Sequence, residues 1–68
     1  MEVDVHKLKV LREERVVSQR ELARIAGLTQ VTVWRLENGY KDAHPQTIRK
    51  LAQALGVEAR ELVKKEGQ

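Results

Sequence analysis

The 68-residue chain is predicted to fold as one all-α domain, a compact packing of five short helices. Three observations predict it. Apolar residues recur at helical spacing along the chain, and no stretch shows the strict alternation of a half-buried strand. Helix-starting and helix-ending residues punctuate it repeatedly: Ser18, Gly27, Thr29, Asn38-Gly39, Pro45 and Gly56. The apolar set is almost wholly aliphatic, with nine Val, eight Leu, two Ile and six Ala but no Phe, an inventory suited to closely packed helices.

Val5, Leu8, Leu11 and Arg15 fall on one stripe while Lys7, Lys9, Arg12, Glu13 and Glu14 occupy the rest, so an amphipathic helix is expected from Val5 to Arg15. It ends near Val16-Val17. Ser18-Gln19-Arg20-Glu21 has the form of a capping box, in which the Ser18 oxygen accepts from the Glu21 amide and the Glu21 carboxylate reaches back to Ser18. Val17 and Leu22 stand where a flanking hydrophobic staple belongs. A second helix, Gln19 to Ala26, has Leu22, Ala23, Ile25 and Ala26 as its apolar members. Gly27 suits a left-handed exit, with Leu28 tucked beneath the turn.

Thr29 is the expected N-cap of a third helix from Gln30 to Glu37, with Val33 and Leu36 inward and Asn38-Gly39 as the stop. Tyr40 to His44 reads as a polar loop. Pro45 fits the first position of a fourth helix, where its missing N–H costs little. Ile48, Leu51, Ala52 and Leu55 then repeat at i, i+3, i+4 and i+7, and Gly56 closes the helix. Glu58 to Lys64 is expected as a last short helix with Leu62 inward, and the tail from Lys64 to Gln68 is expected to fray. The whole chain, 1–68, is one domain with an ordered core over about residues 5–63.

Composition excludes several function classes. A chain this short has no room for a second core or for a catalytic cleft walled on several sides. Without cysteine it has neither disulfide nor sulfur-ligated zinc. His6 and His44 are too few and too isolated for a metal site, and Ser18, the sole serine, is explained by capping rather than nucleophilic catalysis. No enzyme activity and no cofactor are expected. No apolar run approaches the roughly 20 residues of a membrane span, and Met1-Glu2-Val3-Asp4 lacks the basic start of a secretory signal, so a cytoplasmic protein is expected.

The net charge of +3 is a mild bias whose distribution matters more than its size. No acidic residue occurs from Leu22 through Leu36, where Arg24 and Arg35 lie, and Arg20 just precedes that stretch. One segment can therefore approach a polyanion without self-repulsion. Within it, two helices are joined by a tight glycine turn, with Gln19, Ala23, Gly27, Val33 and Leu36 at relative positions 1, 5, 9, 15 and 18. A small residue at Ala23 lets the helices cross closely, and Val33 and Leu36 anchor the third helix. Its opposite face then stands proud of the surface, sized for the roughly 12 Å wide major groove of DNA.

These residues, together with Leu8, Leu11-Arg12, Ser18-Gln19, Leu22-Ala23, Ala26-Gly27-Leu28-Thr29, Thr32-Val33 and Arg35-Leu36-Glu37-Asn38-Gly39, resemble the lambda-repressor-like, or Cro-type (XRE), helix-turn-helix family. The likeness continues through Pro45, Thr47-Ile48 and Leu51 to Val57, places the helix-turn-helix at 19–37 and covers about residues 5–63. Two positions depart from the family pattern. Val16 stands where relatives usually carry glycine, and because a β-branched residue is strained at positive φ, the first helix is expected to end by another route. Trp34 stands where relatives often have a small or polar residue, and it is read as covering core.

The resemblance implies double-stranded DNA as partner. Successive residues on a helix turn by about 100°, which places Val31, Thr32 and Arg35 opposite Val33 and Leu36, with Gln30 at the tip. Gln30, Val31, Thr32 and Arg35 are the expected base readers: a glutamine amide pairs with adenine, an arginine fork with guanine, and an aliphatic group with the thymine methyl. Gln19, at a helix start that favours anions, is implied by the resemblance to clamp a phosphate and brace Gln30, and Asn38, Tyr40 and Lys41 are further phosphate candidates. The resemblance also implies a structural ion pair between Arg12 and Glu37.

The expected function is that of a sequence-specific DNA-binding transcriptional regulator, a repressor acting as a homodimer on a pseudo-palindromic operator. Gly56, Val57 and Leu62 are the expected subunit contact. Two rivals remain open: an antitoxin-like module that binds a protein partner as well as its own promoter, and a transcription adaptor with little sequence preference.

Overall fold

Short side chains at the helix ends determine where each helix begins. In the computed structural model, which describes residues 1–40 and 42–64, the Asp4 carboxylate accepts from the Lys7 amide at 3.1 Å and opens α1 (Val5–Glu14). Ser18 Oγ accepts from the Glu21 amide at 3.0 Å and opens α2 (Gln19–Ala26). Only this half of the capping box forms, because the Glu21 carboxylate lies 3.8 Å from Arg24 Nη2 instead of returning to Ser18. Thr29 Oγ1 accepts from the Thr32 amide at 3.2 Å and opens α3 (Gln30–Glu37), and Pro45 begins α4 (Pro45–Leu55).

The exits follow equally local chemistry. Gly27 (φ 74°) and Gly56 (φ 72°) take the left-handed conformation that ends α2 and α4. Beyond Gly27, the Leu28 amide turns back to the Ala23 carbonyl at 2.8 Å and draws the Leu28 side chain against the core. The end of α1 overturns an expectation. Val16 takes a left-handed φ of 55° despite its branched Cβ, instead of avoiding it. Arg12 supplies the reason: its Nη1 donates to the Val17 carbonyl at 2.8 Å and fixes the chain beyond the turn. Such a conformation costs an L-residue about 1–2 kcal/mol.

Four α-helices and one 3₁₀ turn (Ala59–Leu62) make up the regular structure of the described residues, so the fifth helix expected over Glu58 to Lys64 is a single turn. It stops because its last groups have other partners. Val63 is extended (φ −103°, ψ 132°) and bridges antiparallel to Val3, the Leu62 carbonyl accepts from the Asp4 amide at 2.8 Å, and the Lys64 amide donates to Glu2 at 3.0 Å. The first residues, outside the core expected at 5–63, thus form a strap. Glu2 bridges Asp42 on its other side, and Val3 is buried. Residue 64 is tied down by this strap; the remaining tail expected to fray, 65–68, lies outside the described residues.

The interior forms where α2 packs on α3 and α4, while α1 and the 3₁₀ turn close its other side. Leu8, Leu22, Val33, Ile48, Leu51, Leu55 and Leu62 are each no more than 1% exposed. Two side chains grouped with the apolar residues in sequence lie outside the core. Ile25, expected among the apolar members of α2, is half exposed. Arg15, on the stripe of Val5, Leu8 and Leu11 in α1, carries its guanidinium to the end of α4, where Nε donates to the Leu55 carbonyl at 3.0 Å.

Candidate nucleic-acid interface

The turn at Gly27 sets α3 across α2, and Ala23, 2% exposed, presents no bulk at the crossing. Val33 and Leu36 sink into the core, which fixes how α3 is rotated about its axis. Gln30, Val31, Trp34 and Arg35 consequently face solvent. Thr32 is half-buried on one flank, its hydroxyl 2.9 Å from Thr29 Oγ1. The four expected base readers therefore divide into three exposed side chains and one that lies at the edge. Trp34, read as core cover, leaves half of its surface in solvent, because a residue one position after Val33 is rotated about 100° away from the core.

Electrostatics favour the same face. The only carboxylate on α3 belongs to Glu37, which is turned inward against Arg12: Nε to Oε2 at 2.7 Å and Nη2 to Oε1 at 3.1 Å. These hydrogen bonds raise the Arg12 pKa above the ordinary arginine value, outweighing the opposing effect of burial. A carboxylate held this way projects little negative charge toward a polyanion. Arg20 and Arg24 on α2 and Arg35 on α3 are all exposed.

The expected phosphate contacts are placed unevenly. Gln19 is half-buried and its amide nitrogen donates to Glu37 Oε1 at 3.1 Å, so it extends the Arg12–Glu37 network rather than standing free or bracing Gln30. Nothing in the sequence spacing announced that bond. Asn38 spends its side-chain N–H on the Trp34 carbonyl at 2.8 Å, closing the end of α3. Tyr40 is exposed, and Lys41 lies outside the described residues. A cleft of about 360 Å³ beside α3 brings Thr32 and Arg35 together with Tyr40, Asp42, His44 and Thr47. His44 and Thr47 were not among the expected site residues, since only the path of the loop carries them there.

The expected subunit contact needs correction. Leu62 is fully buried in the core of its own subunit and is not available to a second copy. Val57 is half-buried and packs on the core, and Gly56 is exposed. Among the described residues no three His, Cys, Asp or Glu side chains group as metal ligands, and no helix is long and apolar enough to cross a membrane.

A helix-turn-helix family model matches residues 8–62. The transcriptional repressor RghR of Bacillus subtilis is 38% identical over 68 residues, which are 98% of this chain and 50% of RghR, so the chain spans about half of that curated relative. The crystal structure of the restriction-modification controller protein C.AhdI from Aeromonas hydrophila superposes with a TM-score of 0.79 at 37% identity, over 84% of this chain and 86% of that one. A hydroxyethylphosphonate dioxygenase contains a segment that superposes with a TM-score of 0.85 at 28% identity; it covers 100% of this chain but 15% of the enzyme.

Proposed function

The chain belongs to the helix-turn-helix family, and from that premise we propose that it is a sequence-specific DNA-binding regulator of transcription, a repressor that works in the cytoplasm as a homodimer. One observation carries this reading above the rest. The outward arc of α3 offers Gln30, Val31 and Arg35 to solvent, and the one acid of that helix is buried against Arg12. An exposed helix face with an arginine fork, an amide and an aliphatic group has the chemistry to read base edges in a major groove.

A fold that also forms a small part of a dioxygenase does not decide function, so the reading rests on this face. Gln30 is the candidate adenine reader, Arg35 the guanine reader, and Val31 and Thr32 the thymine-methyl contacts. Tyr40, Lys41, Asn38 and Gln19 are the candidates for phosphate, the last two through groups not already engaged within the protein. A subunit contact is proposed around Gly56 and Val57, without Leu62.

Selecting bound fragments from a random duplex pool tests specificity, symmetry and half-site spacing together. An enriched palindrome with half-sites about 34 Å apart is expected. Arg35→Ala should cost about 1–3 kcal/mol at one base position and leave the others unchanged. Recovery of no preferred sequence would overturn the reading. A second reading, as a protein-interaction module, draws on the exposed Ile25, Val31 and Trp34, and predicts a stoichiometric protein partner.

A further inference from the structure

We infer that Trp34 is a DNA-contacting residue, which packs its indole on the sugar-phosphate wall of the groove and adds to affinity. The inference rests on the DNA-binding reading above. Trp34 is the only tryptophan of the chain and stands half exposed on α3. With about 100° between successive residues, its direction lies between those of Gln30 and Val31, within the solvent arc and away from Val33 and Leu36. Val31, one turn earlier on that side, is 56% exposed, so the two form one apolar strip beside the amide of Gln30.

No hydrogen bond engages the indole N–H among the described residues, although Asn38 bonds the Trp34 main-chain carbonyl. A half-exposed ring that carries an N–H donor suits a surface that is apolar on one side and anionic on the other. Duplex DNA offers that combination at the groove edge, where deoxyribose carbons and thymine methyl groups adjoin phosphate oxygens. No acid occurs from Leu22 through Leu36, and the one carboxylate of α3, Glu37, is turned inward against Arg12, so the helix itself presents no outward charge that repels the phosphates. A protein partner would find the same apolar strip, but it would not account for a helix face without an outward acid.

The test uses the full chain and a duplex selected from a random pool, with binding followed by the anisotropy of a label on the DNA and, in the same titration, by Trp34 emission. Emission should shift to the blue and acrylamide quenching should fall as the anisotropy rises. Trp34→Ala should weaken binding about tenfold, and Trp34→Phe should recover the part due to the ring but not that due to the N–H. Circular dichroism of each variant separates lost contact from lost fold, and the wild-type emission needs no variant at all. If anisotropy rises while emission and quenching stay as in free protein, the role of Trp34 is overturned and DNA binding stands. If selection yields no duplex that raises the anisotropy, both fall.

Discussion

A guanidinium bonded to both oxygens of a carboxylate and to a main-chain carbonyl holds three parts of a chain together, and Arg12 is in that position. It joins α1 to the end of α3 through Glu37 and to the α1–α2 turn through Val17, and Gln19 adds a bond from the start of α2. Removing the carboxylate would leave the largely buried guanidinium without its counter-charge and with only the Val17 carbonyl as partner. Glu37→Ala is therefore expected to lower unfolding free energy by about 3–5 kcal/mol in urea titration, and any loss of DNA affinity should track the unfolded fraction. Because the Arg12 pKa is raised on folding, its contribution is fully present below the ordinary arginine range and lost only as pH climbs through the folded value. Val16 presents the opposite case. It is 87% exposed and left-handed, so little packing is lost on replacement, and Val16→Gly should stabilise by about 1 kcal/mol, read as a rise in melting temperature. The departure from glycine was visible in the sequence. That the position keeps its left-handed conformation was not, because the bond from Arg12 that enforces it comes from an earlier turn.

At the scale of elements, what the sequence made legible was what neighbours in sequence decide. Ser18, Gly27, Thr29, Pro45 and Gly56 act on adjacent amides and carbonyls, and the bounds of α2 and α3 and the start of α4 agree with the structure. What escaped depends on partners far away in the chain. Periodicity put Arg15 on the stripe of Val5, Leu8 and Leu11, but it could not show that the long side chain reaches out to cap the carbonyl end of α4. Arg15→Ala should cost about 1 kcal/mol, with early amide exchange confined to the last turn of α4. The strap likewise left no periodic trace, since its pairing with residues 62–64 has no signature in four residues. Val3→Ala deletes buried methyl groups and should cost about 2 kcal/mol by thermal unfolding.

For the molecule as a whole, the surface proposed to meet DNA is shaped by packing on its opposite side: Val33 and Leu36 fix the rotation of α3, and Ala23 permits its close approach to α2. A dimer neutralising about six phosphates should lose roughly 10³-fold in affinity between about 50 and 200 mM salt, measured by titration at fixed pH. A flat salt response would remove the phosphate-anchored picture. Face and polarity of α3 were legible in its spacing, and so was the helix-ending role of Asn38, which bonds the Trp34 carbonyl one turn back, whereas the engagement of Gln19 required the fold, because it spends a donor on Glu37, a group brought near by tertiary packing.

The strap beside residues 62–64 also bears on chain connectivity. Antiparallel pairing of Val3 with Val63 sets the two extremities of the described polypeptide side by side. A brief glycine-serine splice from Lys64 back to Met1 would close the segment 1–64 into a ring, and reopening that ring at the Gly56 bend should yield a circular permutant that keeps its helices.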